Sequence, residues 1–119
     1  MGEIPVTDAE ITRACAEAMG YRERTDMTCG PSFIMVFSQA DSDTFLYDPL
    51  HDDEQMVALV KKLFIEILVD GPEGRSEDWT WTARIGGYNE LPISISHGHD
   101  LNRAVCTCAA KMWLAKEAK

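Results

Sequence analysis

A chain of 119 residues, 45% hydrophobic and 26% charged, has the length and composition of one globular domain, so neither disorder nor a fibrous repeat is indicated. The 11 Lys and Arg stand against 20 Asp and Glu, a formal net charge of -9, which argues against a surface that neutralises phosphates and so against direct nucleic-acid binding. Leu63 to Val69, the longest apolar stretch, is broken by Glu66 and too short to span a bilayer, and with no leader pattern the four cysteines are expected as reduced thiols in a cytoplasmic protein.

Thr7-Asp-Ala-Glu10 has the form of a capping box, in which the Thr hydroxyl accepts from the third helical N–H and the Glu reaches back to the N-cap. Ile11, Ala14, Cys15, Ala18 and Met19 follow at the spacing of one buried stripe, and Gly20 supplies a left-handed end, so a first helix is expected over residues 8–19. No period holds from Tyr21 to Gly30. Phe33 to Phe37 and Phe45 to Tyr47 then read as a hairpin joined by the polar residues 39–43. Asp52, Asp53 and Glu54 place negative charge at the start of a second helix, whose stripe is Met56, Leu59, Val60, Leu63, Phe64 and Ile67 and whose stop is Asp70-Gly-Pro72.

Trp79, Trp81, Ala83 and Ile85 alternate with polar residues, as do Leu91, Ile93 and Ile95, so residues 79–96 are expected to form an antiparallel hairpin with its loop at Gly86 to Glu90. A third helix starts at Asp100 and buries Leu101, Ala104, Val105, Cys108, Met112 and Ala115. The order helix, hairpin, helix, hairpin, helix predicts a single α+β domain over residues 1–119, an antiparallel sheet of about four strands packed with three helices.

Met19-Gly20-Tyr21 after Asp8-Ala-Glu-Ile11, Tyr47-Asp48 leading into Val57 to Leu63, and the Ala- and Cys-rich helix from Leu101 through Ala110 resemble the pattern of the phage ABA sandwich domain family. The resemblance implies an α/β/α sandwich and a phage origin and brings no catalytic residues with it. Residues 22–42 are longer and more apolar than it would lead one to expect.

Asp41, Asp43, Asp48, Asp52, Asp53 and Glu54 cluster from the loop of the first hairpin to the start of the second helix. On one surface they would imitate a phosphate backbone and fill a basic groove of a partner, with electrostatic steering of the encounter. Small size, net acidity and the lack of a catalytic constellation permit, and the phage context that the resemblance implies suggests, the expected function: a phage-encoded accessory protein that binds and inhibits a host defence effector of the CRISPR kind, with no cofactor and no catalytic residue. A homodimer is one way for such a domain to bury an open sheet face.

Two alternatives stand beside it. Trp79, Trp81 and Trp113, with Arg22, Arg24 or Arg84, suit a protein that sequesters a nucleotide. His97-Gly-His99-Asp100, with His51-Asp52-Asp53, suits a metal-dependent hydrolase in which the metal acidifies a bound water; the competing reading is a turn at Gly98 and a helix cap at Asp100. Cys106-x-Cys108 lacks the spacing of a zinc knuckle, and Cys29, beside Gly30, is the one thiol placed in a loop.

Overall fold

The computed structural model describes residues 7–38, 43–71, 73, 79–86 and 94–117. Three helices and six strands follow in the order α1 (Asp8–Met19), β1 (Tyr21–Glu23), β2 (Ile34–Ser38), β3 (Thr44–Tyr47), α2 (Asp53–Leu63), β4 (Ile65–Asp70), β5 (Thr80–Ile85), β6 (Ser94–Gly98) and α3 (Leu101–Glu117). The α+β class is as expected, but the strands form two antiparallel sheets of three, β1-β2-β3 and β4-β5-β6, where the sequence suggested one sheet of about four. Two strands were missed, and both adjoin a left-handed residue.

The first helix matches its expected span. Glu10 N–H donates to the Thr7 hydroxyl at 3.2 Å and the Glu10 carboxylate accepts from Thr7 N–H, while Gly20 ends the helix at φ 85°. That turn delivers Tyr21 directly into β1, which pairs antiparallel with β2 (Arg22 opposite Phe37). The β2–β3 hairpin forms as expected, with Ile34 opposite Tyr47 and Val36 opposite Phe45. On its inner face Tyr21 stands edge to face with Phe45 at 5.2 Å and with Tyr47 at 5.5 Å.

The second helix is shorter than its pattern. It ends at Leu63, Phe64 takes the left-handed conformation (φ 56°, ψ 50°) with its N–H on the Val60 carbonyl, and the chain turns into β4. Ile67, expected on the helix stripe, instead pairs with Ala83 of β5. Apolar residues at 63, 64 and 67 satisfy a helical period, while Ile65, Ile67 and Val69 satisfy a period of two, and such a short run does not separate the readings.

β5 and β6 form the expected hairpin, with Ala83 opposite Ser96 and Thr82 opposite His97. The strand begins at Ser94 and runs to Gly98, so His97 belongs to it instead of to a turn; Leu91, Ile93 and the loop at Gly87 to Glu90 lie outside the described residues.

α1 and α3 lie between the sheets. α1 packs on β1 and β2, α3 packs on β5 and β6, and α1 and α3 pack on each other, with α2 against α3 and β4. α3 is therefore buried on two sides: Cys106, Ala109 and Ala110 are as covered as the expected Ala104, Val105 and Cys108, whereas Ala115 is exposed. Its small side chains let other backbone come close. Ser94 donates its hydroxyl to the Cys108 carbonyl at 2.8 Å, and the Cys15 thiol reaches the Cys106 carbonyl at 3.4 Å. No helix among the described residues is long and apolar enough to cross a membrane.

Candidate functional site

The acidic residues proposed as a partner surface separate into different roles. Asp52 caps α2, accepting from Gln55 N–H at 3.1 Å, and Asp53 accepts from the Asn102 amide of α3 at 3.1 Å. The Asp48 carboxylate is largely covered and accepts from the Ser32 hydroxyl at 3.1 Å. Asp43 and Glu54 are exposed, and Asp41 lies outside the described residues. The exposed charge is thus centred on the N-terminal turn of α2, where Asp52, Asp53 and Glu54 follow one another and partly offset the helix dipole.

From that turn an outward strip runs down α2. Val57 and Ala58 line a shallow groove of about 390 Å³ with Asp53, Glu54 and Lys61. One turn further, Phe64 stands 87% exposed at its positive φ, and Leu68 and Val69 of the adjoining β4 are also exposed. Phe64 is the one non-glycine residue with positive φ among the described residues. A bulky residue in that region is disfavoured, and glycine or asparagine is usual at a helix end of this kind. Sequence reasoning placed Phe64 in the core because its spacing from Val60 suited a stripe; its exposure has no signature in the sequence.

A Ser, a His and an Asp meet at Ser32, His51 and Asp48, a combination that sequence spacing gave no reason to connect. The Ser32 hydroxyl lies 3.3 Å from His51 Nδ1, and the same Nδ1 lies 3.1 Å from Asp48 Oδ2. In a hydrolytic triad the Asp holds one ring nitrogen and the Ser the other, so that the ring can pass a proton. Here both partners use Nδ1. The cluster instead ties the segment before β2 to the turn after β3: Ser32 also accepts the Thr12 hydroxyl on its carbonyl at 2.6 Å, and Gln55 bridges Asp48 N–H and the Leu46 carbonyl.

His97 and His99 line a groove of about 580 Å³ between β6 and α3. His97 Nδ1 lies 2.9 Å from the Thr82 hydroxyl and His99 Nδ1 lies 2.9 Å from the Trp79 carbonyl. Asp100 accepts from Arg103 N–H at 3.2 Å as the cap of α3, and His51 is engaged with Asp48. Among the described residues no group of three or more His, Cys, Asp or Glu side chains is placed to hold a metal ion.

The aromatic and basic residues proposed for a nucleotide are dispersed. Trp79 and Trp81 stand edge to face at 6.1 Å on one end of β5, whereas Trp113 on α3 donates its indole N–H to Glu17 of α1 at 2.8 Å. Arg24 pairs with Asp26 and Arg84 with Glu66, and Arg22 borders a hollow of about 320 Å³ with Arg13 and Glu23. Cys15, Cys106 and Cys108 are buried; a contact with the Cys15 thiol, together with burial, pushes the Cys106 thiol far up, which leaves exposed Cys29 as the accessible one.

Comparison with protein-family models finds no match, and neither does comparison with curated proteins or with solved structures.

Proposed function

We propose that this protein acts by binding a protein partner through the outward strip of α2, with Phe64 as the inserted side chain and the acidic first turn steering the approach. The observation that carries the reading is Phe64 itself, 87% exposed at a backbone conformation that disfavours it. Strain and exposure of this kind concentrate at functional positions, and exposed aromatic residues are frequent energetic centres of interfaces. Val57, seven residues before Phe64 on α2, is a further exposed apolar side chain, and Asp52, Asp53 and Glu54 form the first turn of the same helix.

The partner that fits is a protein with an apolar pocket bordered by basic residues. In its more specific form, following the resemblance to phage sandwich proteins, the reading is of an accessory protein that occupies the basic groove of a host defence effector. The nucleotide and hydrolase alternatives draw on side chains already engaged, Arg24 and Arg84 in ion pairs and His51 with Asp48.

The test is quantitative capture from bacterial lysate on immobilised wild type, Phe64→Ser and Glu54→Lys, each first shown to melt like the wild type. A partner held by the wild type should be lost from Phe64→Ser and weakened in Glu54→Lys most at low salt, because screening shortens the reach of charge. Equal retention by all three would sink the proposal.

A further inference from the structure

The groove beside β6 shares no lining residue with the strip that leads to Phe64. One wall is β6 and its continuation, and the other is α3, with Arg103, Thr107 and Lys111 spaced at every fourth residue. β6 ends the order β4-β5-β6, so among the described residues its second edge has no paired strand. The direction of its backbone groups can be read from two contacts. The Ile95 carbonyl lies 3.4 Å from Lys111 Nζ of α3, so Ile95 directs its polar groups away from β5 and into the groove.

His97, two residues on, must do the same, because alternate residues of an antiparallel strand bond to the same side. The side chains agree: Thr82 and His97 touch at 2.9 Å, as expected of a pair that does not exchange backbone hydrogen bonds and therefore stands closer. Ile95 and His97 thus offer two N–H and two C=O groups along one open edge.

We propose that this groove binds an extended acidic segment of a partner protein, added as a further strand along β6. Four residues of α3 rise about 6 Å and two residues of a strand about 6.8 Å, so alternate side chains of the added strand fall in step with Arg103, Thr107 and Lys111. The matching segment carries acidic residues at i and i+4 and a small polar one at i+2. Arg103 gives two hydrogen bonds of 2.9 Å to Asp8 and, with five donors in its fork, has others for a second carboxylate. An incoming N–H shares the Ile95 carbonyl with Lys111, which brings a carboxylate of the segment beside its ammonium group. A second copy of this chain fits poorly, since two β6 edges brought together would set Arg103 and Lys111 against their own likenesses.

The test uses the full chain and a fluorescein-labelled heptapeptide, β-branched at alternate positions with Glu at i and i+4 and Thr between, against the same peptide with Lys for Glu. Anisotropy should show binding of the Glu peptide alone, with amide shifts centred on Ile95 to His99. Lys111→Glu should weaken the Glu peptide roughly tenfold or more and improve the Lys peptide. Ile95→Pro removes an N–H that β5 does not use, and should weaken binding roughly fivefold or more. Failure of both peptides to bind, wild-type affinity in Ile95→Pro with a wild-type melt, or shifts elsewhere would overturn the proposal. So would Ile95 and His97 amides already protected from exchange in the free chain, which would mean that its own residues fill the groove.

Discussion

Replacing Phe64 by Gly and, separately, by Ala tests the strained turn on which the proposed binding surface rests. Phe64 is 87% exposed, so folding covers little of the ring. Against the roughly 1.5–3 kcal/mol of a fully buried Phe, either truncation therefore removes no more than about 0.4 kcal/mol of burial. The backbone dominates. At φ 56° a side chain with a Cβ is disfavoured by about 1–2 kcal/mol relative to Gly, and part of that is returned through the greater freedom of Gly in the unfolded chain. The expected result in urea unfolding is that Phe64→Gly is more stable than Phe64→Ala by about 1 kcal/mol, near 4 °C in Tm for a domain of this size, with unchanged m-values. In an ordinary helical or extended position Ala would win by about 0.5–1 kcal/mol. An Ala variant more stable than the Gly variant would therefore refute the left-handed turn, and with it the argument from strain.

Tyr47 is buried in the aromatic cluster and its hydroxyl has no hydrogen-bond partner among the described residues, so Tyr47→Phe should leave stability unchanged or raise it by about 1 kcal/mol in chemical unfolding; a loss of 1 kcal/mol or more would show that the hydroxyl is bonded in solution. Hydrogen bonds from Arg103 hold the Asp8 carboxyl below its usual range, so the pair favours the folded state above the ordinary carboxylate pKa near 3.8, and that contribution fades as the pH falls through the lowered value. Because both side chains are partly exposed, Asp8→Asn should cost under about 1 kcal/mol at pH 7, and the gap from wild type should close as the pH falls through the lowered Asp8 value in a series of pH-dependent melts; a gap that stays constant with pH would assign the loss to the helix start instead of the ion pair.

The elements whose local signals agree with one another were legible in the sequence. The Thr7–Glu10 box, the stripe of α1 and Gly20 all point to one helix, and the structure reproduces its ends. The β2–β3 and β5–β6 hairpins were likewise written in alternation and turn residues. What escaped were features decided by tertiary contact. β1 is only three residues long and exists because Gly20 aims it at β2; a strand that short carries no period. The division into two sheets depends on β4, hidden inside an apolar run that also suited a helix. α3 looked one-sided because Cys106, Ala109 and Ala110 fall outside the single stripe that its period marks, whereas small residues are what two packed neighbours require.

The candidate site was legible in its charge but not in its apolar centre. Asp52, Asp53 and Glu54 were visible as a helix start and as a surface, yet one caps the helix and another holds Asn102, so fewer carboxylates are free to meet a partner than the sequence count implies. A surface of carboxylates alone could steer an encounter but would contribute little once salt screens it. Phe64 supplies what they lack. Where every local choice in a chain agrees with its fold, stability is sufficient reason for each residue; a bulky aromatic side chain kept outward at a turn that favours Gly is not explained in that way. The position where the helical reading of the sequence failed is thus the position on which the proposed binding rests, and both follow from one observation: Phe64 satisfies neither the helix before it nor the strand after it.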